Sequence, residues 1–312
     1  MKLSEAVASY VAHKQAMGMR FCAEKKILKS FCRNHGAIEL EQIQPEQVRN
    51  FIVGSGPATL FCRRKRDTLL GFYRFSTARG YTTHAPLPST LPKPSATFVP
   101  HIFSRDELKR LLDTVEACQG PRRLLQGFTF RTLLLLLYGA GLRLNEALSL
   151  TLADVDLNER ILHVRKTKFY KTRLVPIGAD LCAVLAQHVI RRRMIHPPDD
   201  APLLATSTGH ATPLYLAEDA FRRLRRLANV VRNDGAFCQP RLHDLRHSAA
   251  VHRLINWYRS GADVQRLLPY LATYLGHVDV VGTQRYLTLV PELLQEASKR
   301  FERYAMGEHH EG

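Results

Sequence analysis

The sequence predicts a mainly α-helical protein with a small β-sheet, divided into two domains by a proline-rich connection. Three observations carry this. Apolar residues recur at helical spacing over residues 1–80 and over most of the chain beyond residue 104, as in helices that each bury one face. Between the two blocks, "THAPLPSTLPKPSATFVP" (Thr83 to Pro100) holds five prolines and no clear period, which reads as a semi-extended linker. Alternating, β-rich sequence is confined to "RILHVRKTKFYKTRLVPI" around a polar centre, and reads as a hairpin or small sheet. The boundaries that follow are a helical domain over 1–82, a linker over 83–100 and a second domain over 101–312.

In the first domain, "SEAVASYVAHKQAMG" and "AEKKILKSFCRNHG" each close on the glycine that a helix C-terminus favours. "PATLFCRRKRDTLLGFYRFSTARG", Pro57 to Gly80, predicts a longer helix that buries Leu69, Leu70, Phe72 and Tyr73. Its turn of Arg63, Arg64, Lys65 and Arg66 is expected to contact phosphate or to form a solvated face. The second domain opens on "SRDELKRLL", where Ser104 and Glu107 have the spacing of a capping box. "RTLLLLLYGAGLRLNEALSL" reads as a buried helix, a Gly-x-Gly turn and a short helix. After the β segment the pattern from Ala179 is helical nearly to the end, and no internal repeat is visible.

Composition bounds the function. The chain has 312 residues, 45% apolar and 23% charged, an ordinary globular balance. Its net charge of +17 calls for a polyanionic partner, a nucleic acid or an anionic membrane surface. Residues 1–90 hold 14 Lys+Arg against 6 Asp+Glu and the remainder 31 against 22, so both domains are basic and can share one long anionic ligand. Six scattered cysteines with no C-x-x-C pair read as buried apolar thiols rather than a zinc site or disulfide framework. The most apolar run, Thr132 to Tyr138, is far short of the roughly 20 residues of a membrane span. With no signal peptide at its start, the chain is expected to be soluble and cytoplasmic.

Polar groups then stand where packing does not ask for them. Arg143 follows "GAGL", with Glu146 three residues on; Lys166, Lys168 and Lys171 crowd the hairpin; "HDLRH" supplies His243, Arg246 and His247. Near the C-terminus come His277 and, nine residues later, Tyr286. On a helix His243 and Arg246 share a face. The set holds no carboxylate pair for a metal and no Gly-rich phosphate loop, so no metal or cofactor is expected. It suits chemistry on a phosphodiester. Guanidinium forks bind non-bridging oxygens, a lysine can protonate a departing oxygen, histidine can hold phosphate or move a proton, and tyrosine can form a covalent phosphoryl-enzyme bond.

These motifs resemble those of the tyrosine recombinases, or phage integrases, including the Xer-like bacterial members. That family's "TGLR-x-x-E" is matched by Gly141, Leu142, Arg143 and Glu146. Its H-x-L-R-H is matched by His243, Leu245, Arg246 and His247, and its L-G-H with a later tyrosine by Leu275, Gly276, His277 and Tyr286. The resemblance implies a helical, SAM-like core-binding domain followed by a catalytic domain, the two clamping a DNA duplex. It makes Arg143 and Arg246 the clamp of the scissile phosphate, Tyr286 the nucleophile, His243 a proton acceptor or phosphate ligand and His277 a hydrogen-bond donor to phosphate. Counting back from "RLVPIG" places the catalytic lysine at Lys168. The turn lacks the family's usual glycines, which leaves Lys166 and Lys171 open as well. "NWYRSGADVQRLLPYLATY" makes the stretch between "HDLRH" and "LGH" longer than in typical Xer-like members.

Further expectations follow from that resemblance. A 3′-phosphotyrosyl intermediate needs neither metal nor ATP, because bond energy is stored. The tail "PELLQEASKRFERYA" implies a helix docking on a neighbouring protomer, and so a homo-tetramer on two double-stranded DNA sites, with related recombinases as further partners. The wording near the C-terminus resembles integrases of mobile elements more than resolvases of chromosome dimers. A topoisomerase of the same chemistry and a silent DNA-binding protein are the rival readings. Glu146 is expected to orient Arg143 or the turn, and Asp244 to complement a helix dipole. His247 supports the site or packs in the core, and Arg191–Arg193 and Arg222–Arg226 are solvated or contact phosphate.

Overall fold

The computed structural model describes residues 1–19, 21–55, 59–90, 92, 99–118, 123–165, 172–236 and 238–277, with Gln295 and Ser298. The chain divides into two compact units, Met1–Thr97 and Phe98–Gly312.

Among its described residues the first unit has four α-helices, α1 (Leu3–Ala16), α2 (Cys22–His35), α3 (Pro45–Val53) and α4 (Leu60–Ala78), and a short 3-10 turn at Leu40–Gln42. Pro45 opens α3, where its missing N–H costs nothing, and the Gln47 side chain accepts from the Gln44 backbone N–H at 2.8 Å. Leu28, Phe31, Val48, Ile52, Leu69, Phe72 and Tyr73 meet in one core. Leu70, expected in that core, is only half-buried, because the inward stripe of α4 runs through positions 69, 72, 73 and 76.

In the second unit, α5 (Arg105–Cys118) starts on the expected capping box. Glu107 accepts from the Ser104 N–H at 2.8 Å and donates its own N–H to Ser104 Oγ at 3.1 Å. The apolar helix α6 (Gly127–Gly139) is buried nearly all round through Phe130, Leu133, Leu134, Leu136 and Leu137, and the short α7 (Leu144–Leu148) follows. Three antiparallel strands come next: β1 (Val155–Asp156), β2 (Ile161–Val164) and β3 (Arg173–Pro176). Leu162 pairs with Val175 and Val164 with Arg173; Leu162, Val164 and Val175 face the core. The helices α8 (Ala179–Arg193), α9 (Leu214–Leu227), α10 (Leu242–Arg259) and α11 (Val264–Leu275) complete the described fold.

Three expectations are corrected. Helix does not run on from Ala179: residues 194–213 are irregular, with bridges Thr151↔Pro202 and Ala205↔Ala211. Pro197, Pro198, Pro202 and Pro213 remove backbone donors there, and Gly209 turns at φ +85°. Arg192 is not solvated but buried, donating to the Pro202 carbonyl at 3.3 Å. Cys22 is exposed, and Cys32, Cys182 and Cys238 are partly so. The stretch before "LGH" finishes α10, turns at Gly261 and forms α11, which has Pro269 in its interior and whose Asp263 cap accepts from the Arg266 N–H at 3.1 Å.

Candidate active site

The second unit gathers three arginines around one carboxylate and three backbone carbonyls. Arg246 lies on the first turns of α10 and is 1% exposed, the largest fully buried side chain among the described residues. Its guanidinium donates to the carbonyl of Gly141, just before α7, and to that of Leu275, at the end of α11. A buried guanidinium must find acceptors, and here carbonyls from segments distant in sequence supply them.

Arg143 is the N-cap residue of α7 and stays a third exposed. It donates to Glu146 at 2.7 Å and to the Gly276 carbonyl, while its backbone N–H donates to the other Glu146 oxygen at 2.9 Å. Glu146 is held from the other side as well, since Arg173 of β3 donates to both its oxygens at 2.8 and 2.9 Å. Burial alone would raise the Glu146 carboxyl, but the hydrogen bonds and charge of Arg173, joined by those of Arg143, hold it at about 2. Glu146 therefore orients Arg143, as expected. Nothing in the sequence around "RLVPIG" marks Arg173 as part of the site. A β-strand arginine has no local signal for its partner.

Two glycines permit this closeness. Gly141 has φ +59°, and a Cβ there would come within 2.9 Å of Leu275. Gly276 caps α11 at φ +69°, and its Cβ would meet the Arg173 guanidinium at 2.8 Å. The "LGH" triplet thus turns directly over the arginines. His277 follows, half-buried, its backbone N–H bonded to the Ala272 carbonyl at 2.9 Å.

His243 and His247 stand one turn apart on α10, their rings edge to face at 4.8 Å. Burial, then the charge of Arg246, pushes the His243 imidazole below its usual range. Burial, then the neighbouring His243 and Arg246, pushes His247 down to about 3, so both rings are neutral near pH 7. Asp244 accepts from the Arg241 N–H at 2.9 Å and its side chain at 3.2 Å, a buried carboxylate in the first turn of α10 as expected. Tyr274 donates its hydroxyl to the Pro176 carbonyl at 3.2 Å, and burial raises its pKa, which suits packing rather than nucleophilic attack.

The structure thus brings Arg143, Arg246 and the turn before His277 together, with His243 one helical turn from Arg246. Lys166, Lys168, Lys171 and Tyr286 lie outside the described residues, as does the tail apart from Gln295 and Ser298. In the first unit the basic run of α4 is largely committed: Arg64 pairs with Glu24 at 2.9 Å, Lys65 donates to the Phe51 carbonyl at 2.6 Å and Arg66 to that of Pro88 at 3.4 Å. Arg63 points outward. Among the described residues no group of His, Cys, Asp or Glu could hold a metal ion, and no helix is long and apolar enough to cross a membrane.

The second unit is a mainly helical domain whose Arg143 and Arg246 converge on the turn that leads into His277. Its relatives narrow the class. Residues 102–292 match the phage integrase family. The chain is 41% identical to the putative integrase/recombinase y4rB of Sinorhizobium fredii over 74% of this chain and 75% of that protein. It is 34% identical to y4rE of the same organism, over 96% and 95%. The fold matches the Tn1549 transposon integrase in complex with transposon right-end DNA (TM-score 0.70, 15% identity, 98% of this chain and 100% of that one). It also matches a lambda integrase tetramer bound to a Holliday junction (0.65, 16%, 89% and 78%). The chain belongs to the phage integrase family of tyrosine recombinases, enzymes of site-specific DNA strand breakage and rejoining.

Proposed function

We propose that this chain is an integrase that cuts and rejoins double-stranded DNA through a 3′-phosphotyrosyl intermediate, with Tyr286 as nucleophile and without metal or ATP. The observation that carries the reading is convergence. Arg143 and Arg246 come from segments about a hundred residues apart, yet both bind carbonyls of the turn that leads into His277. Three motif residues read from sequence as acting on one phosphate therefore meet at one turn.

In this reading the Tyr286 hydroxyl attacks the scissile phosphorus and gives its proton to His243, whose buried, neutral imidazole can accept it. The P–O5′ bond breaks, and Lys168 protonates the departing 5′-oxygen. Arg143, Arg246 and His277 stabilise the charge on the non-bridging oxygens. A 5′-hydroxyl from a second duplex then attacks the phosphotyrosine and releases Tyr286. Two N-terminal features support duplex binding, a basic unit of helices and the outward Arg63 of α4. The lambda tetramer and the transposon integrase support a homo-tetramer on two sites and a role in a mobile element, acting in the cytoplasm where such DNA lies.

A nicked suicide duplex tests the reading. The wild type should accumulate a covalent protein–DNA adduct in EDTA, and Tyr286→Phe should bind the duplex equally well while forming none. An adduct in the variant, or a strict Mg²⁺ requirement, would place the chemistry elsewhere. Lys168→Ala should be rescued by a substrate whose scissile 5′-oxygen is sulfur, since a thiolate leaves without an acid. Rescue of Lys166→Ala or Lys171→Ala instead would move that role along the turn.

A further inference from the structure

We propose that Arg173 is a positioning residue of the strand-cutting reaction: its guanidinium fixes the Glu146 carboxylate that orients Arg143, and its flat face supports the Gly276 turn that leads into His277. The proposal rests on the reading that Arg143 and His277 serve the scissile phosphate.

Four observations on different atoms point the same way. The two terminal nitrogens of Arg173 bond both oxygens of Glu146, the bidentate geometry that fixes a carboxylate's plane as well as its place. The same Glu146 oxygens receive the side chain and backbone N–H of Arg143, so the carboxylate is a rigid bracket between the two arginines. The guanidinium of Arg173 lies so close to Gly276 that a single added carbon would meet it at 2.8 Å, and the Gly276 carbonyl is itself an acceptor of Arg143. Finally, the Nε of Arg173 is buried with no hydrogen-bond partner. A largely buried ion pair with one donor left unsatisfied is a weak stabiliser, because an apolar side chain of similar volume often does as well. It is good value as a device of placement, since it ties β3, α7 and the end of α11 to one point. Lysine cannot take its place fully, because a single ammonium has neither the fork nor the flat face.

The test is a double-mutant cycle on the full chain. Single-turnover adduct formation on the nicked duplex is measured at saturating protein, together with DNA affinity and thermal melting. Arg173→Met should slow adduct formation on the order of 100-fold, the loss expected from about 1 Å of misplacement, with DNA affinity kept. Arg173→Lys should recover part of the rate. In an Arg143→Ala background, Arg173→Met should cost much less than it does alone, because only its support of the Gly276 turn is left to lose. The pH profile supplies a readout that a merely structural role would not move. Glu146, held at about 2 between Arg143 and Arg173, is ionised throughout the working range, and loss of Arg173 should bring an acid limb upward into it. Losses that multiply in the double variant, or an Arg173→Met enzyme of normal rate, would overturn the proposal. If Arg173→Met does not fold, the same cycle on Glu146→Gln and Arg173→Lys decides it by the same criterion. A wild type that forms no adduct, or an Arg143→Ala variant of normal rate, would instead sink the functional reading beneath it.

Discussion

In α4, Arg63 to Arg66 stand at the surface or half-buried, with contacts such as the 2.9 Å pair of Arg64 with Glu24 at the surface. In the second unit Arg246 is buried and Arg173 partly so, and each is bound at two points by groups far away in sequence. An exposed pair is worth about 0.2–1 kcal/mol and leaves its side chain able to swing toward a phosphate. A buried guanidinium has already lost its water, so its bonds decide its place and it cannot swing. The first kind of cation supplies attraction over a broad surface. The second supplies geometry, which is what a reaction on one phosphorus atom needs. Charge count alone does not separate the two.

Substitutions can break this contrast. The largest effect is expected at Arg246. Arg246→Ala leaves the Gly141 and Leu275 carbonyls without a donor and should cost on the order of 3 kcal/mol in urea unfolding, with adduct formation lost. A variant as stable as wild type would mean that the buried guanidinium is not fixed by those carbonyls.

Acid comes next. The folded chain depresses the His247 pKa to about 3, from an ordinary value of 6.5, so the imidazole's contribution is whole above pH 6.5. It is lost as pH falls from 6.5 toward 3. His247→Gln should flatten this part of the stability–pH curve, as measured by denaturation at stepped pH. An unchanged slope would show that His247 is not the group that resists protonation.

At Gly276 the effect is smaller and local. Gly276→Ala puts a Cβ at φ +69° and against the Arg173 guanidinium, which should cost about 1–2 kcal/mol and slow adduct formation more than it weakens DNA binding. Equal losses in both would point to general unfolding. The smallest effect on stability belongs to the surface run. Arg63→Ala should change unfolding by no more than about 0.5 kcal/mol. It should still reduce the log–log salt slope of DNA affinity by about 0.9, one phosphate's worth. An unchanged slope would make α4 a solvated face.

Helices and caps were legible in the sequence because they are local. The box of Ser104 with Glu107, the stripe of Leu69, Phe72 and Tyr73, and the glycine after α2 each act within a few residues. The motif residues Arg143, Glu146, His243, Arg246 and His277 were legible too, because their spacing along the chain is itself the signal. The break in helix over 194–213 was written in four prolines that helical periodicity outweighed. Only the tertiary structure decided that Arg192 is buried rather than solvated, that Glu146 has a second arginine in Arg173, and that Gly276 turns over it. Residue 246 meets the carbonyls of Gly141 and Leu275, 105 and 29 positions away. Contacts of that range have no period to read. They exist only once α6, α10 and α11 have packed and left a buried charge with nowhere else to find its acceptors.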